Sequence, residues 1–217
     1  MSLPSFPHRH KVFVSYHHSP NDQNYKEELI AQNDVANVFV DKSIDTGDID
    51  PNLPDQKIRE IIRDERLRDS TVTILLAGSQ TWKRMHVDWE IYSSMIDGPA
   101  NKKSGILVIT LPSINTGERC ISGHGKDEKI VMRPDLIASS WVSIGDAQAI
   151  NNNHGPLPTR ILYNLEKGDA KISLVPWARI TDQPEILWWL IEFAHRDKAD
   201  ADYGYFQEIP MMKGNLN

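Results

Sequence analysis

The stretch that decides the fold is Thr71–Ala77, TVTILLA, a nearly continuous run of apolar and β-branched residues. Such a run predicts a central strand covered on both faces, because a half-exposed strand would alternate apolar and polar residues. Similar runs occur before and after it, at Lys11–Tyr16 (KVFVSY) and Gly105–Leu111 (GILVITL). Three segments form the predicted interior of one mainly parallel sheet: Val12–Ser15, Thr73–Leu76 and Ile106–Ile109.

Helical patterns separate these strands. They begin near Pro20, with Ser19 or Asn21 as the N-cap, and recur over Pro54–Asp69, Trp82–Ile96 and Pro184–Asp197. Strands that alternate with helices favour right-handed βαβ units, with ligands at the carboxyl ends of the strands. The sequence therefore predicts an α/β, flavodoxin-like fold in which helices flank a mainly parallel sheet.

The remaining segments are less regular. Val38–Val40 is a short second apolar run, and a loop rich in Asp, Gly and Pro follows it. After Pro112 only short apolar pieces stand out, such as Ile137–Ile144 and Ile172–Val175, and we predict no strand order there. We expect a flexible N-terminal tail (1–10), one domain (11–200) and a C-terminal tail (201–217). Within that domain, a core (11–111) precedes a C-terminal elaboration (112–200).

Composition excludes several classes of protein. The 217 residues contain 24 Lys and Arg against 30 Asp and Glu, a net charge of −6, so binding to a nucleic-acid backbone is not expected. The lone cysteine, Cys120, rules out an intrachain disulfide and a cysteine-based zinc site. No segment has the length of a membrane span or the pattern of a signal peptide. We expect a soluble cytoplasmic protein that does not bind membranes.

Several cofactor motifs fail on spacing. The Gly123–Gly125 pair lacks the third glycine of a dinucleotide fingerprint, and Asp45, Asp48 and Asp50 do not have calcium-loop spacing. Four histidines form two pairs on either side of the first strand: His8, His10, His17 and His18. Neither pair has a carboxylate or cysteine at ligand spacing, so we predict no metal and no bound cofactor.

Glu90 is the candidate catalytic residue. It lies one residue beyond Trp89 on the apolar stripe of the third helix, which predicts a position at the edge of the buried face. A carboxylate there is suited to stabilising positive charge on a sugar. The alternative is a solvated glutamate that pairs with Lys83 or Arg84. Spacing alone leaves both open.

The order of four motifs resembles the Toll/interleukin receptor (TIR) domain, in particular the bacterial TIR-like branch that includes the cyclase component of Thoeris antiphage defence. The motifs are VFVSYHHSPND (12–22), FVDKSIDTGDID (39–50), STVTILLAGSQTW (70–82) and DWEI (88–91). The resemblance covers Lys11 to about Leu111. It departs from the family at His86 and Val87, where many members have Trp-Cys.

The resemblance implies an NAD-cleaving enzyme in which Glu90 acts on the nicotinamide–ribose bond, with NAD as a substrate rather than a cofactor. It implies a BB-type loop, Asp41–Asp50, that mediates self-association and shapes the pocket. The implied substrate-binding residues surround that pocket: Phe13, Ser15, Tyr16, His17, Asp41, Trp82 and Trp89. The resemblance also implies that the loop after the first strand, His17–Asp22, borders the nucleotide pocket.

The product implied is ADP-ribose or a cyclic ADP-ribose-type signal for a separately encoded effector, as in antiphage defence. Two other functions remain open. A TIR-like interaction module would use the BB-type loop for assembly without turnover. A nucleoside deoxyribosyltransferase would use the same architecture with a glutamate nucleophile.

Overall fold

The computed structural model describes residues 6–43, 49–50, 52–98, 102–114, 119–132, 141–142, 156–167, 169–204 and 209–216. The predicted α/β fold is confirmed. The described strands form one seven-stranded sheet in the order β2-β1-β3-β4-β7-β5-β6. Its strands are β1 (Lys11–Tyr16), β2 (Val40–Asp41), β3 (Val72–Ala77), β4 (Gly105–Thr110), β5 (Cys120–Ile121), β6 (Trp141–Val142) and β7 (Ser173–Pro176).

The sheet is parallel except where β5 pairs antiparallel with β7. The three predicted interior segments are neighbours, with Ser15 opposite Leu75 and Leu76 opposite Ile109. All six residues of β3 and of β4 are buried, as expected for strands covered on both faces. The carboxyl ends of β1, β3 and β4 therefore share one edge of the sheet.

Six α-helices are described. They are α1 (Pro20–Ala36), α2 (Asp55–Ile61), α3 (Met85–Ser94), α4 (Lys126–Met132), α5 (Thr159–Lys167) and α6 (Pro184–Asp197). Ser19 caps α1, because its side chain accepts a hydrogen bond from the Asp22 N–H. No helix in this part of the chain combines the length and apolar character needed to cross a bilayer.

Three predicted elements have different bounds. The helix predicted over Pro54–Asp69 is α2 followed by a π-helical turn, Ile62–Arg66. The stripe predicted over Trp82–Ile96 is a 3₁₀ turn, Thr81–Lys83, and then α3, because Arg84 has extended backbone angles between them. Only Val40 of the run Val38–Val40 belongs to β2. Val38 and Phe39 precede the strand, and their N–H groups donate to the Asn33 side chain instead of to a neighbouring strand.

Close packing fixes α6 against the sheet. A Cβ atom on Gly105 would lie 2.0 Å from the Ala194 carbonyl oxygen, so only glycine allows the helix backbone this close to β4. The apolar piece predicted at Ile172–Val175 forms most of β7, which lies between β4 and β5. The piece predicted at Ile137–Ile144 lies outside the described residues except for Trp141 and Val142.

Candidate functional site

A buried carboxylate occupies the carboxyl end of β1. Glu90 is 4% exposed, and its carboxylate accepts hydrogen bonds from the Ser15 hydroxyl at 2.7 Å and the Arg66 guanidinium at 3.0 Å. Three elements supply these groups: α3, the end of β1 and the end of the π-helical turn. In the described part of the chain, Ser15 and Arg66 donate to different oxygens of the carboxylate.

The position predicted for Glu90 at the edge of a helix face is therefore wrong. Helical spacing takes account only of residues on α3 itself. The Glu90 side chain is covered by β1 and the π-helical turn, which come from other parts of the sequence. Its ion pair is with Arg66 rather than with Lys83 or Arg84. Arg66 is itself only 8% exposed, so the pair is largely removed from water.

The electrostatics of Glu90 reflect two opposing effects. Burial raises the pKa of the Glu90 carboxyl, because the charged form loses its hydration. The Ser15 hydroxyl and Arg66 act against that rise by stabilising the carboxylate, and the charge of His18 contributes in the same direction. The contacts with Ser15 and Arg66 thus favour the charged carboxylate, whereas burial favours the neutral acid and is the larger effect.

Aromatic and imidazole rings adjoin this carboxylate. The ring centroids of Tyr16 and His18 are 4.6 Å apart, and those of His18 and His86 are 4.9 Å apart. His86 lies one helical turn before Glu90 and contacts the Tyr16 carbonyl oxygen at 3.2 Å. Burial, with the charges of Arg84, His86 and His18, lowers the pKa of His17 to about 4, so this imidazole is neutral at pH 7.

The predicted substrate-binding residues divide into groups. Ser15 touches Glu90, and Tyr16 belongs to the ring cluster with His18 and His86. His17 is close enough to Arg84, His86 and His18 for their charges to lower its pKa. Phe13 and Trp89 are buried in an apolar cluster with residues of α2 and the π-helical turn. There the Trp89 indole N–H donates to the Met212 carbonyl oxygen at 2.8 Å.

The other two residues lie elsewhere. Trp82 lines a cavity of about 410 Å³ that also borders Arg84, Asp88 and residues 209–210 and 212–216. Glu90 is not among the residues of its wall. Asp41 is exposed at the end of β2, where its carboxylate accepts from the Ser43 N–H at 2.9 Å. Residues 44–48 of the predicted Asp41–Asp50 loop lie outside the described residues.

A second buried carboxylate was not predicted. Asp22, in the first turn of α1, is 4% exposed and accepts a hydrogen bond from the Thr81 hydroxyl at 3.4 Å. A Cβ atom on Gly78 would lie 2.4 Å from an Asp22 oxygen, so glycine at the end of β3 makes room for this carboxylate. Burial raises the pKa of Asp22.

Sequence reasoning also missed Arg66 and the proximity of His18 to His86. The motif HHSPND contains both Asp22 and His18, but nothing in its spacing indicates burial. The two predicted histidine pairs lie in different surroundings, because the His10 ring stacks on His195 at 3.8 Å whereas His18 lies beside Tyr16. Among the described residues, no group of three His, Cys, Asp or Glu side chains is arranged to hold a metal.

Comparison with known proteins identifies one family. The family model described as Thoeris protein ThsB, TIR-like domain, matches residues 13–116. No curated protein matches the chain, and no solved structure matches it. Residues 13–116, just under half of the chain, are therefore similar to the TIR-like family, which confirms the resemblance found in the sequence motifs. The match contains β1 from Phe13 onward, all of β2, β3 and β4, and Glu90.

Proposed function

We propose that this TIR-like domain cleaves the nicotinamide–ribose bond of NAD, with Glu90 as the catalytic residue. The observation that carries the proposal is the buried Glu90 carboxylate, which Ser15 and Arg66 hold at the carboxyl end of β1. Ligands of open α/β sheets bind at these strand ends. Similarity to the family supports the same assignment, because Glu90 falls where TIR enzymes have their catalytic glutamate.

The chemistry needs one well-placed negative charge. The nicotinamide of NAD leaves as a neutral molecule, so its departure needs no general acid, and the ribose becomes an oxocarbenium-like cation. Glu90 accepts hydrogen bonds from ribose hydroxyls and stabilises that cation. A carboxylate shielded from water interacts with it more strongly than an exposed one would.

The surroundings of Glu90 suit the rest of the nucleotide. The rings of Tyr16, His18 and His86 offer stacking surface and hydrogen-bonding groups. Arg84 contributes positive charge near His17, which suits the pyrophosphate of NAD. We assign Phe13, Trp82, Trp89 and Asp41 to the outer wall of the site or its support.

Two products are consistent with this site. Attack by water at the ribose carbon gives ADP-ribose and releases a proton. Attack by a nucleophilic group of the same ADP-ribose gives a cyclic isomer. In either case no oxidant or cofactor is consumed. We propose that the product is a signal for a separately encoded effector in antiphage defence.

Self-association through the Asp41–Asp50 loop belongs to the same proposal. A site with one carboxylate needs a neighbour to exclude water from the ribosyl cation. Specific activity should therefore rise with protein concentration as the protein associates. Constant activity per molecule, in a protein that stays monomeric at every concentration, contradicts this part of the proposal.

One observation favours a second function, a non-catalytic interaction module. The Arg66–Glu90 ion pair joins the π-helical turn to α3, a structural role that needs no substrate. The two functions differ in a direct assay, in which purified protein is incubated with NAD and, separately, with a deoxynucleoside. Chromatography should show free nicotinamide only in the first incubation. Intact NAD supports the interaction module, and a free base released from the deoxynucleoside supports a deoxyribosyltransferase.

A further inference from the structure

Residues 209–216, which we call the C-terminal strap, lie on the helix that carries Glu90 although they are far from it in sequence. We propose that the strap is a positioning element for Glu90, so that the working site extends beyond the family match at 13–116. This inference rests on the proposed function for its effect on turnover. Its effect on α3 is measurable separately.

The strap completes the N-terminus of α3. Arg84, the N-cap residue, makes no capping hydrogen bond with its side chain. Instead Asn215, 130 residues away, accepts a hydrogen bond from the Met85 N–H at 2.9 Å. The Leu216 N–H donates to the Lys83 carbonyl oxygen at 3.0 Å just before the helix. A side-chain acceptor at this position stabilises a helix as an ordinary N-cap does.

The strap also holds the flank of α3. The Met212 N–H donates to Asp88 at 3.0 Å, and the Met212 carbonyl oxygen accepts from the Trp89 indole at 2.8 Å. Arg160, fully buried on α5, donates to both oxygens of Asp88, at 3.0 and 3.3 Å. Its guanidinium also donates to the carbonyl oxygens of Ile209 and Pro210. Asp88 therefore links α3, α5 and the strap.

An apolar anchor adds to these polar contacts. Met211 is 4% exposed and belongs to the same buried cluster as Phe13, Ile58 and Trp89. Beyond it, Lys213 pairs with Asp55 on α2. The strap is thus held on several sides, and its position is coupled to that of the elements around Glu90.

Helix geometry explains how these contacts reach the carboxylate. Residues 88 and 90 lie about 200° apart around the helix. The strap therefore contacts Asp88 on one side of α3, while Glu90 contacts Ser15 and Arg66 on another. A rotation of α3 by about 10° moves a group about 6 Å from the helix axis by roughly 1 Å. A displacement of that size can cost about 10²-fold in rate. The contacts of the strap with Asp88 and Met85 restrain this rotation.

The test compares three variants of this chain. Asn215→Ala removes the acceptor for the Met85 N–H, and Asn215→Asp keeps an acceptor with a charge that a helix N-terminus favours. Asn24→Ala is the matched control, because it makes the same substitution at an exposed asparagine on α1, outside the strap. The measurements are kcat and KM for NAD and hydrogen exchange of the α3 amides.

We expect Asn215→Ala to lower kcat about fivefold with little change in KM, and to speed exchange in the first turn of α3 by a similar factor. Asn215→Asp and Asn24→Ala should resemble wild type in both measurements. If Asn215→Ala speeds exchange but leaves kcat unchanged, the strap has only a structural role and the proposal is overturned. The proposal is also overturned if Asn215→Ala changes neither exchange nor kcat. A wild type that leaves NAD intact refutes the proposed function instead. Exchange in α3 then decides the strap alone, with faster exchange in Asn215→Ala supporting it and unchanged exchange overturning it.

Discussion

Replacing Arg66 by methionine tests whether this arginine keeps Glu90 charged. The change keeps an apolar stem of similar length and removes the cation that lies 3.0 Å from the carboxylate. At a charge separation of about 4 Å and an effective dielectric constant of about 20, the lost attraction is about 4 kcal/mol. Measured effects of one neighbouring charge on a carboxyl titration are about 1–3 pH units, which correspond to about 1.4–4 kcal/mol.

The acidic limb of the pH profile of kcat/KM should therefore move upward by about 1–3 pH units in Arg66→Met. The sign follows from burial, which already raises the pKa of Glu90 and which Arg66 opposes. Removing Arg66 raises that pKa further, so a higher pH is needed to ionise Glu90. A carboxyl-carbon NMR titration of Glu90 reports the same change without relying on turnover.

Stability should show a matching pH dependence. A carboxyl whose pKa is raised in the folded protein contributes stability that is present at low pH and is lost as pH rises through that pKa. Urea unfolding should therefore show a larger deficit for Arg66→Met at pH 8 than at pH 5. Adding Glu90→Gln should recover part of that deficit at pH 8, because no unpaired buried charge remains.

Two variants serve as controls for this experiment. Arg66→Lys keeps a positive charge and should leave the acidic limb near its wild-type position. Arg68→Met removes an exposed arginine two residues away and should change neither limb nor stability. The reasoning is refuted if folded Arg66→Met titrates like wild type, or if the double variant is as unstable at pH 8 as the single one.

Two further predictions concern packing and acid stability. Gly105→Ala should lower the free energy of unfolding by about 3 kcal/mol or more, since its Cβ would meet the Ala194 carbonyl oxygen. Chemical denaturation measures this loss. The control is Gly214→Ala, which should be nearly neutral because its Cβ meets nothing within 4 Å. Burial, with the charges of His10 and Lys198, lowers the pKa of His195 to about 4. The stability it contributes is complete above pH 6.5 and is lost as pH falls towards 4, so His195→Gln should lose less stability than wild type over that interval. An equal loss in both proteins contradicts this.

The interior of the sheet was predictable because its signal is local. A strand buried on both faces must be almost wholly apolar, and TVTILLA and GILVITL meet that condition by themselves. The strand order beyond β4 was not predictable. β5 and β6 have two residues each, too few to form a hydrophobic pattern. β7 lies beside β4 although β5 and β6 come between them in sequence, and the apolar residues of β7 do not indicate which strand it pairs with.

The candidate site was predictable only in part. Motif order identified Glu90 and the Ser15–Tyr16 segment, but periodicity placed Glu90 at a helix edge because it counts only residues on the same helix. The partner of Glu90 is 24 residues away at the end of a π-helical turn, and the group that caps its helix is Asn215. Burial of this kind depends on tertiary contacts, which spacing does not encode.

The central claim is that the Glu90 carboxylate stabilises the ribosyl cation formed from NAD. Glu90→Gln keeps the size of the side chain but removes the charge. Its single carbonyl oxygen replaces two carboxylate oxygens, one of which accepts from Ser15 and the other from Arg66. Because the group is buried and paired, we expect a stability loss of about 1–3 kcal/mol rather than the near-neutral effect of a surface substitution.

The most direct measurement is the rate of nicotinamide release from NAD by wild type, Glu90→Gln and Glu65→Gln. Glu65 is exposed in the π-helical turn and serves as the matched control. All three rates are measured at a temperature where each protein is folded. We predict that Glu90→Gln is slower by about 10²–10³-fold and that Glu65→Gln matches wild type. A folded Glu90→Gln variant that releases nicotinamide as fast as an active wild type would contradict the claim.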